Sequence, residues 1–211
     1  MATPLLIFPC NGNGIEALDC VGEAFSPIGF VDDSPDKVGT EKFGLPVLPR
    51  SALQEHPGAK VLAVPGGPAS YRNRENVVKG LGVPRERFAT VVHPAARVSS
   101  HARIGLNVLI MAGVVITSNA VVGDHVCILP NSVVHHDSVI GDWTLIGSGV
   151  TIAGSVSVGR NSYIGSGSTV MNGIAIGEGA LVGLGSNVIR DTASGSVVAG
   201  NPARDLRRGQ A

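Results

Sequence analysis

Aromatic residues are scarce in this chain: five Phe, two Tyr and one Trp make up 4% of its 211 residues. Any core must therefore be built from aliphatic side chains. Cysteine is nearly absent, and Cys10, Cys20 and Cys127 stand at no metal-like spacing. That pattern suggests a reducing compartment rather than a disulfide framework. Neither sign of charge is in excess, with 16 Lys+Arg against 16 Asp+Glu, so no basic stripe suggests nucleic acid. No apolar run approaches the roughly eighteen residues of a membrane span. The start, MATPLLIFPC, lacks the basic opening and long apolar core of a signal peptide, so the expectation is a cytoplasmic protein.

What the chain does have is a period. Branched aliphatic residues recur every six positions seventeen times, from Val92, Val98 and Ile104 to Ile176, Val182 and Val188. Six fits neither a helix of ~3.6 residues per turn nor a simple two-residue alternation. It fits a short strand plus a tight turn, repeated as the sides of a prism, which is the hexapeptide β-helix pattern. A second inward position falls four residues after each aliphatic, from Ala102, Val108 and Val114 to Ser162 and Ser168. The position three residues after reads Asn107, Gly113, Asn119, His125, Asn131, Asp137, Gly149, Asn161, Gly167, Gly173, Gly179 and Gly185. These residue types enter left-handed backbone most readily, so each hexad carries its own corner. Three hexads make one coil, and the run predicts about five coils, or a prism roughly 25 Å long at ~4.8 Å per strand. Each buried Ile or Val contributes about 1.5–3 kcal/mol, so the interior needs no aromatics.

Before Val92 the periodicity changes, and residues 1–90 read as a domain separate from 91–211. Residues 4–8 form a buried strand, followed by the turn-rich Pro9-Cys10-Asn11-Gly12-Asn13-Gly14. A helical pattern covers residues 15–25, with Leu18, Val21 and Gly22 on one face. Residues 28–31 form a strand ending at Asp32-Asp33, and residues 60–64 another ending at Pro65-Gly66-Gly67-Pro68. This order predicts a small Rossmann-like open parallel sheet with ligands at the carboxyl ends of its strands. Asn11, Gly12, Asn13, Asp32, Asp33 and Gly66 all fall at those ends and are the candidate substrate contacts. The glycine turn is not a full GxGxxG, which argues against a redox dinucleotide, and a tight structural connection explains it equally well.

Phe30-Val31-Asp32-Asp33, Val134-His135-His136-Asp137 and Gly200-Asn201-Pro202-Ala203-Arg204 together resemble the bacterial sugar acyltransferases related to sialic acid O-acetyltransferase. The likeness runs from about Leu5 to Arg204. It is nearest to the acetyl-CoA-dependent enzymes that N-acetylate nucleotide-linked 4-amino-4,6-dideoxy sugars. The resemblance implies a left-handed helix, a homotrimer and a place in glycan biosynthesis. It also implies acetyl-CoA and a nucleotide-linked amino sugar as substrates, with the nucleotide held by the first domain.

Acyl transfer to an amine requires a general base, a group to orient it, and a donor for the thioester oxyanion. Histidine suits the first role. His101 and His125 occupy the corner position, His56 and His93 precede prolines, and His135 reads as a solvated face residue. His136 occupies an outward position and matches the family's catalytic histidine, and Asp137 matches the acid that orients it. Gly154 lies one coil after His136, so its backbone N–H falls about one strand spacing from the base. Leu145, Gly154, Ser166 and Leu184 match the family's coenzyme contacts. Arg204, Arg207 and Arg208 stand where basic groups could meet its phosphates.

Two positions depart from the family. It commonly has a second histidine nine residues after the base, where this chain has Leu145. It also commonly has a histidine in the first glycine loop, where this chain has Asn13. Three other classes are weighed against N-acetyl transfer. A metal-dependent carbonic anhydrase on this helix needs several spaced histidines, and Gly141 stands where a partner to His136 would be; no metal is expected. An O-acetyltransferase acting on sialic acid would use the same base. A catalytically impaired scaffold is suggested by Leu145 and Asn13. Nothing in the sequence chooses among UDP, GDP and dTDP as carrier.

Overall fold

The computed structural model describes residues 1–206. Its first strand, β1 (Thr3–Phe8), is apolar throughout its centre because both of its faces are covered. Leu5 and Ile7 pack with Ala17 and Cys20 of α1 (Gly12–Cys20). Leu6 and Phe8 pack on the other side with α2 (Ala52–Glu55) and Val78 of α3 (Arg74–Lys79). β2 (Phe25–Val31) and β5 (Lys60–Ala63) flank β1 in parallel. β4 (Leu45–Leu48) pairs parallel with β2, and the short β3 (Glu41–Lys42) adds an antiparallel edge. The order is β3-β4-β2-β1-β5.

The helix begins earlier and ends earlier than the apolar pattern predicts. Asn11 is its N-cap, accepting from the Gly14 backbone N–H at 3.2 Å, so the glycine turn is the first turn of α1. A Cβ at Gly14 would lie 2.0 Å from the Pro9 carbonyl oxygen. Glycine there is what lets the helix start against the end of β1.

From Val91 to Val188 the chain winds as two-residue strands joined by four-residue turns, stacking into three sheets that are parallel except at the end, where Ala203–Asp205 pairs antiparallel with Val197–Gly200. The first face has six strands, from Arg97–Val98 to Asn187–Val188. The second has five, from Arg103–Ile104 to Ala175–Ile176, and the third has eight, from Val91–Val92 to Ala203–Asp205. Both inward positions of the hexad meet in one continuous aliphatic core. Its buried serines are satisfied by the next turn: Ser132, Ser138, Ser162 and Ser168 donate to Gly147, Ala153, Gly177 and Gly183 carbonyls at 2.7 to 3.1 Å.

Three details differ from the pattern. Val92 is 39% exposed, and Val98 and Ile104 are half-buried, because the first coil has no coil beneath it. Trp143 and Ser155 adopt left-handed corners at φ 65° and 59°, although neither residue type signals one. His101 stands at a corner position without the positive φ expected there.

The α/β part docks on the third face, where Leu109, Cys127 and Leu145 join the cluster around α1. It also docks on the edge between the second and third faces. There Asn107 pairs with the backbone of Ala63, its Oδ1 accepting and its Nδ2 donating, both at 2.7 Å. With that amide fixed, its second N–H points at His125 Nδ1, 2.9 Å away, so this nitrogen must accept. The His125 ring stacks on Trp143 at 3.8 Å and meets Phe88 edge-on at 5.1 Å. Burial, aided by Arg74 and Arg85 and opposed by Asp124 and Asp142, lowers its pKa from 6.5 to about 4.

A pH dependence follows. The folded pKa lies below the unfolded one, so the unfolded chain takes up the proton first as pH falls. Stability is full above pH 6.5 and declines toward pH 4. With His125 only 9% exposed, the loss between pH 7.5 and 5 should be about 2 kcal/mol. Urea midpoints at the two pH values check this. His125→Asn, which tolerates the left-handed corner, should remove that portion of the pH dependence.

Candidate active site

His136 lies in the turn between Val133–Val134 and Val139–Ile140, on the edge joining the first and second faces. This edge is opposite the third face, away from the docked α/β part. Its side chain is 58% exposed. Nδ1 lies 2.7 Å from Asp137 Oδ2. An ionised carboxylate only accepts, so Nδ1 carries a proton, and in the neutral ring Nε2 is the bare nitrogen. The hydrogen bond from His136, followed by one from Asn119, holds Asp137 below the usual carboxylate range.

Gly154 occupies the same edge one coil on. A Cβ there would lie 2.6 Å from His136 Nε2 and 2.7 Å from Cε1. The imidazole can lie against this turn because the residue is glycine. At three turns on the other edges the side chain one coil later caps the N–H: Asp124 caps Leu106, Asp142 caps Asp124, and Ser166 caps Ser148, at 2.8, 2.8 and 3.0 Å. On the His136 edge no such cap is present among the described residues, and the N–H groups of Ser118, His136, Gly154 and Asn172 all donate to nothing. The His136 ring therefore lies against a residue whose backbone donor is unused.

Gly154→Ala should lower kcat roughly 10–100-fold with little change in melting temperature, since the alanine displaces the imidazole but fits the backbone. Steady-state kinetics beside a thermal melt would measure both, and a rate within twofold of wild type would contradict the geometry.

Comparison with known proteins places the whole architecture among characterised ones. The family described as bacterial transferase hexapeptide (six repeats) matches residues 101–135 and 119–154, and the hexapeptide repeat of succinyl-transferase matches 139–171 and 155–189. A single-residue mutant of perosamine N-acetyltransferase from Caulobacter crescentus, solved with CoA and GDP-perosamine, is 26% identical over 97% of each chain, with a TM-score of 0.83. The acetyltransferase domain of PglB from Neisseria gonorrhoeae FA1090, solved with acetyl coenzyme A, is 25% identical over 98% of this chain and 100% of that one, at 0.84. WeeI from Acinetobacter baumannii AYE is 26% identical over 98% and 100%, at 0.81. The chain is an acyltransferase, with hexapeptide transferase repeats over residues 101–189. No curated protein matches its sequence.

In this acyltransferase the remaining candidates fall into two further groups. Ser166 and Leu184 lie on the edge between the third and first faces, Ser166 half-buried and Leu184 exposed. Leu145 is buried on the third face. It lines a cavity of about 90 Å³ together with Asn13, Gly66, Gly67, Gly147 and Tyr163. The two positions that depart from the family, Asn13 and Leu145, thus line the same cavity, remote from His136 of the same chain. Arg204 is exposed near the end of the prism, and Arg207 and Arg208 lie outside the described residues.

The strand-end candidates are largely bonded to one another. Asn13 Nδ2 donates to the Val64 and Gly66 carbonyls at 3.4 and 3.3 Å. Buried Asp32 accepts from the Cys10 and Ser34 N–H groups, both at 2.9 Å, and from Lys37 Nζ at 3.0 Å. Asp33 forms a two-pronged pair with Arg50 and is half exposed. Asp32 therefore shapes the loop after β1, while Asp33 faces outward. A second hollow, of about 390 Å³, lies across the start of α1 and is lined by Cys10, Ile15, Lys37 and Thr40. Among the described residues no three His, Cys, Asp or Glu side chains cluster as metal ligands, and no helix is long and apolar enough to cross a membrane.

Sequence reasoning missed Arg74, which is 1% exposed at the start of α3. It donates to the Pro65 and Trp143 carbonyls at 2.7 and 2.6 Å, with its stem against Gly66. Burial lowers its pKa to about 10, so it stays charged at neutral pH. The only signal was an arginine in a short helix, which ordinarily means solvent.

Proposed function

We propose that this protein transfers an acetyl group from acetyl-CoA to the amino group of a nucleotide-linked 4-amino-4,6-dideoxy sugar, directly, with His136 as general base. The observation that carries the reading is the His136–Asp137 pair with its ring against Gly154, whose N–H is free to donate. A base alone suits many reactions; a base with a backbone donor on the adjoining coil suits acyl transfer. His136 takes the proton as the amine nitrogen bonds to the thioester carbon. Gly154 N–H meets the charge growing on the carbonyl oxygen. As the C–S bond breaks, His136 returns the proton to the sulfur, and Asp137 steadies the imidazolium in between. The substrates named for the C. crescentus and N. gonorrhoeae proteins support the same chemistry here. Cys10, Cys20 and Cys127 are all free, which suits a cytoplasmic site of action.

Residues 1–90 would hold the nucleotide. The first-turn N–H groups of α1 at Gly12 and Asn13 suit a diphosphate, with the two hollows taking its ends on either side. Assembly joins the halves. Gly154 is on one edge of the first face, and Ser166 and Leu184 are on the other. Coenzyme lying between two prisms meets both sets, and a threefold ring closes the contact. The cavity at Gly147 then faces the histidine of the next copy. Light scattering should give three times the chain mass of 21.5 kDa; an active monomer would contradict the shared site.

The activity itself is tested by thiol release from acetyl-CoA with GDP-, UDP- and dTDP-linked 4-amino-4,6-dideoxy sugars, beside free sialic acid. At least one nucleotide sugar should release thiol and sialic acid should not. Release with sialic acid alone would make the protein an O-acetyltransferase, and no release with any would make it a scaffold.

A further inference from the structure

We infer that Asn119 is a positioning residue of the catalytic pair, holding the Asp137 carboxylate so that His136 keeps Nε2 bare and aimed at Gly154. This rests on the reading of His136 as the base. Asn119 stands one coil before Asp137 on the same edge, and both are left-handed corners, at φ 61° and 59°. Asn119 Nδ2 donates to Asp137 Oδ1 at 3.0 Å, while His136 Nδ1 donates to Oδ2 at 2.7 Å. Each carboxylate oxygen thus has one partner, and a single plane of the carboxylate satisfies both.

Without the amide that plane is free. The terminal carboxylate torsion is broad, and all three side chains are open to water. A carboxylate held at one oxygen turns toward solvent, and the imidazole loses both its orientation and its tautomer. Only the tautomer bare at Nε2 can accept a proton where Gly154 clears space.

The corner itself does not require this bond. Gly113, Gly149 and Gly167 fill equivalent positions with no side chain. Asn107 and Asn161 direct their amides elsewhere, to Ala63 and to the Arg72 carbonyl. The bond to Asp137 is peculiar to the edge that carries His136.

The test uses two variants that tolerate the left-handed corner. Asn119→Gly deletes the donor, and Asn119→Asp keeps the size but sets an acceptor against a carboxylate. Both should lower kcat roughly 3–20-fold, with KM for acetyl-CoA and for the amino sugar within twofold of wild type. In an Asp137→Ala background Asn119→Gly should add no further loss, because its only route to the base is gone. Wild-type kcat in both Asn119 variants, with His136→Ala inactive, overturns the positioning role and leaves the base assignment standing. Equal losses in the presence and absence of Asp137 overturn it as well. A His136→Ala enzyme near wild type removes the base reading and this inference together.

Discussion

His136→Ala should lower kcat by roughly 10²–10⁴ while the fold survives. The side chain is 58% exposed and belongs to no apolar cluster, so its loss removes a proton acceptor and little packing. Both Michaelis constants should stay close to wild type, because the imidazole contributes to proton transfer rather than to holding either substrate. On the proposed mechanism the residual rate would come from juxtaposition and from the Gly154 N–H. His135→Ala and His101→Ala are the kinetic controls and should cost little. His125 is unsuitable as a control, since it is wedged between Trp143 and Phe88 and its replacement disturbs the junction. A His136→Ala enzyme within a few-fold of wild type would sink the assignment.

The second large effect is on stability. Arg74→Met should destabilise the folded chain by about 2–4 kcal/mol. Methionine replaces much of the stem but none of the donors. The Pro65 and Trp143 carbonyls, bonded at 2.7 and 2.6 Å, would be left without partners in a dry junction. Relief of the buried charge offsets part of that cost, which sets the upper limit. Arg74→Lys should fall between, because one ammonium cannot span two carbonyls that a guanidinium fork reaches together. Arg74 also backs Gly66, so KM for the amino-sugar nucleotide should rise while that for acetyl-CoA stays put. Urea denaturation of the Met variant decides the matter: a change under about 0.5 kcal/mol would mean that Arg74 is not structural glue.

Much of the prism was readable because each hexad repeats the same local request: an aliphatic inward, a small or apolar residue four later, a corner between. The relation of His136 to Gly154 follows from that repeat alone. What the repeat conceals is whatever depends on a second body. The third face looks like the other two in period, yet Leu109, Cys127 and Leu145 are covered there by α1 and its neighbours. Trp143 fills a left-handed corner against its own preference because stacking on His125 outweighs the local strain. Asp32 marks a strand end in the sequence, but its carboxylate turns back to bind Cys10 and Lys37, a choice set by loop geometry. The start of α1 was hidden because an Asn-Gly run reads as a turn until the cap bond from Gly14 to Asn11 is seen.

The stacking of like positions every eighteen residues, as between Asn119 and Asp137, also limits how this protein can change length. Deleting residues 141–146 would keep the hydrophobic rhythm intact and still fold as a prism. It would nevertheless carry Gly154 a third of a turn round from His136 and fill the gap with another residue. Loss or gain of a complete coil before His136 would leave its relation to Gly154 intact, but would shift the contacts of Ala63, Arg72 and Arg74 with the prism. An insertion or deletion between His136 and Gly154 therefore keeps the two on one edge only when it is a whole number of eighteen-residue coils, and only an unchanged spacing keeps them on adjoining coils.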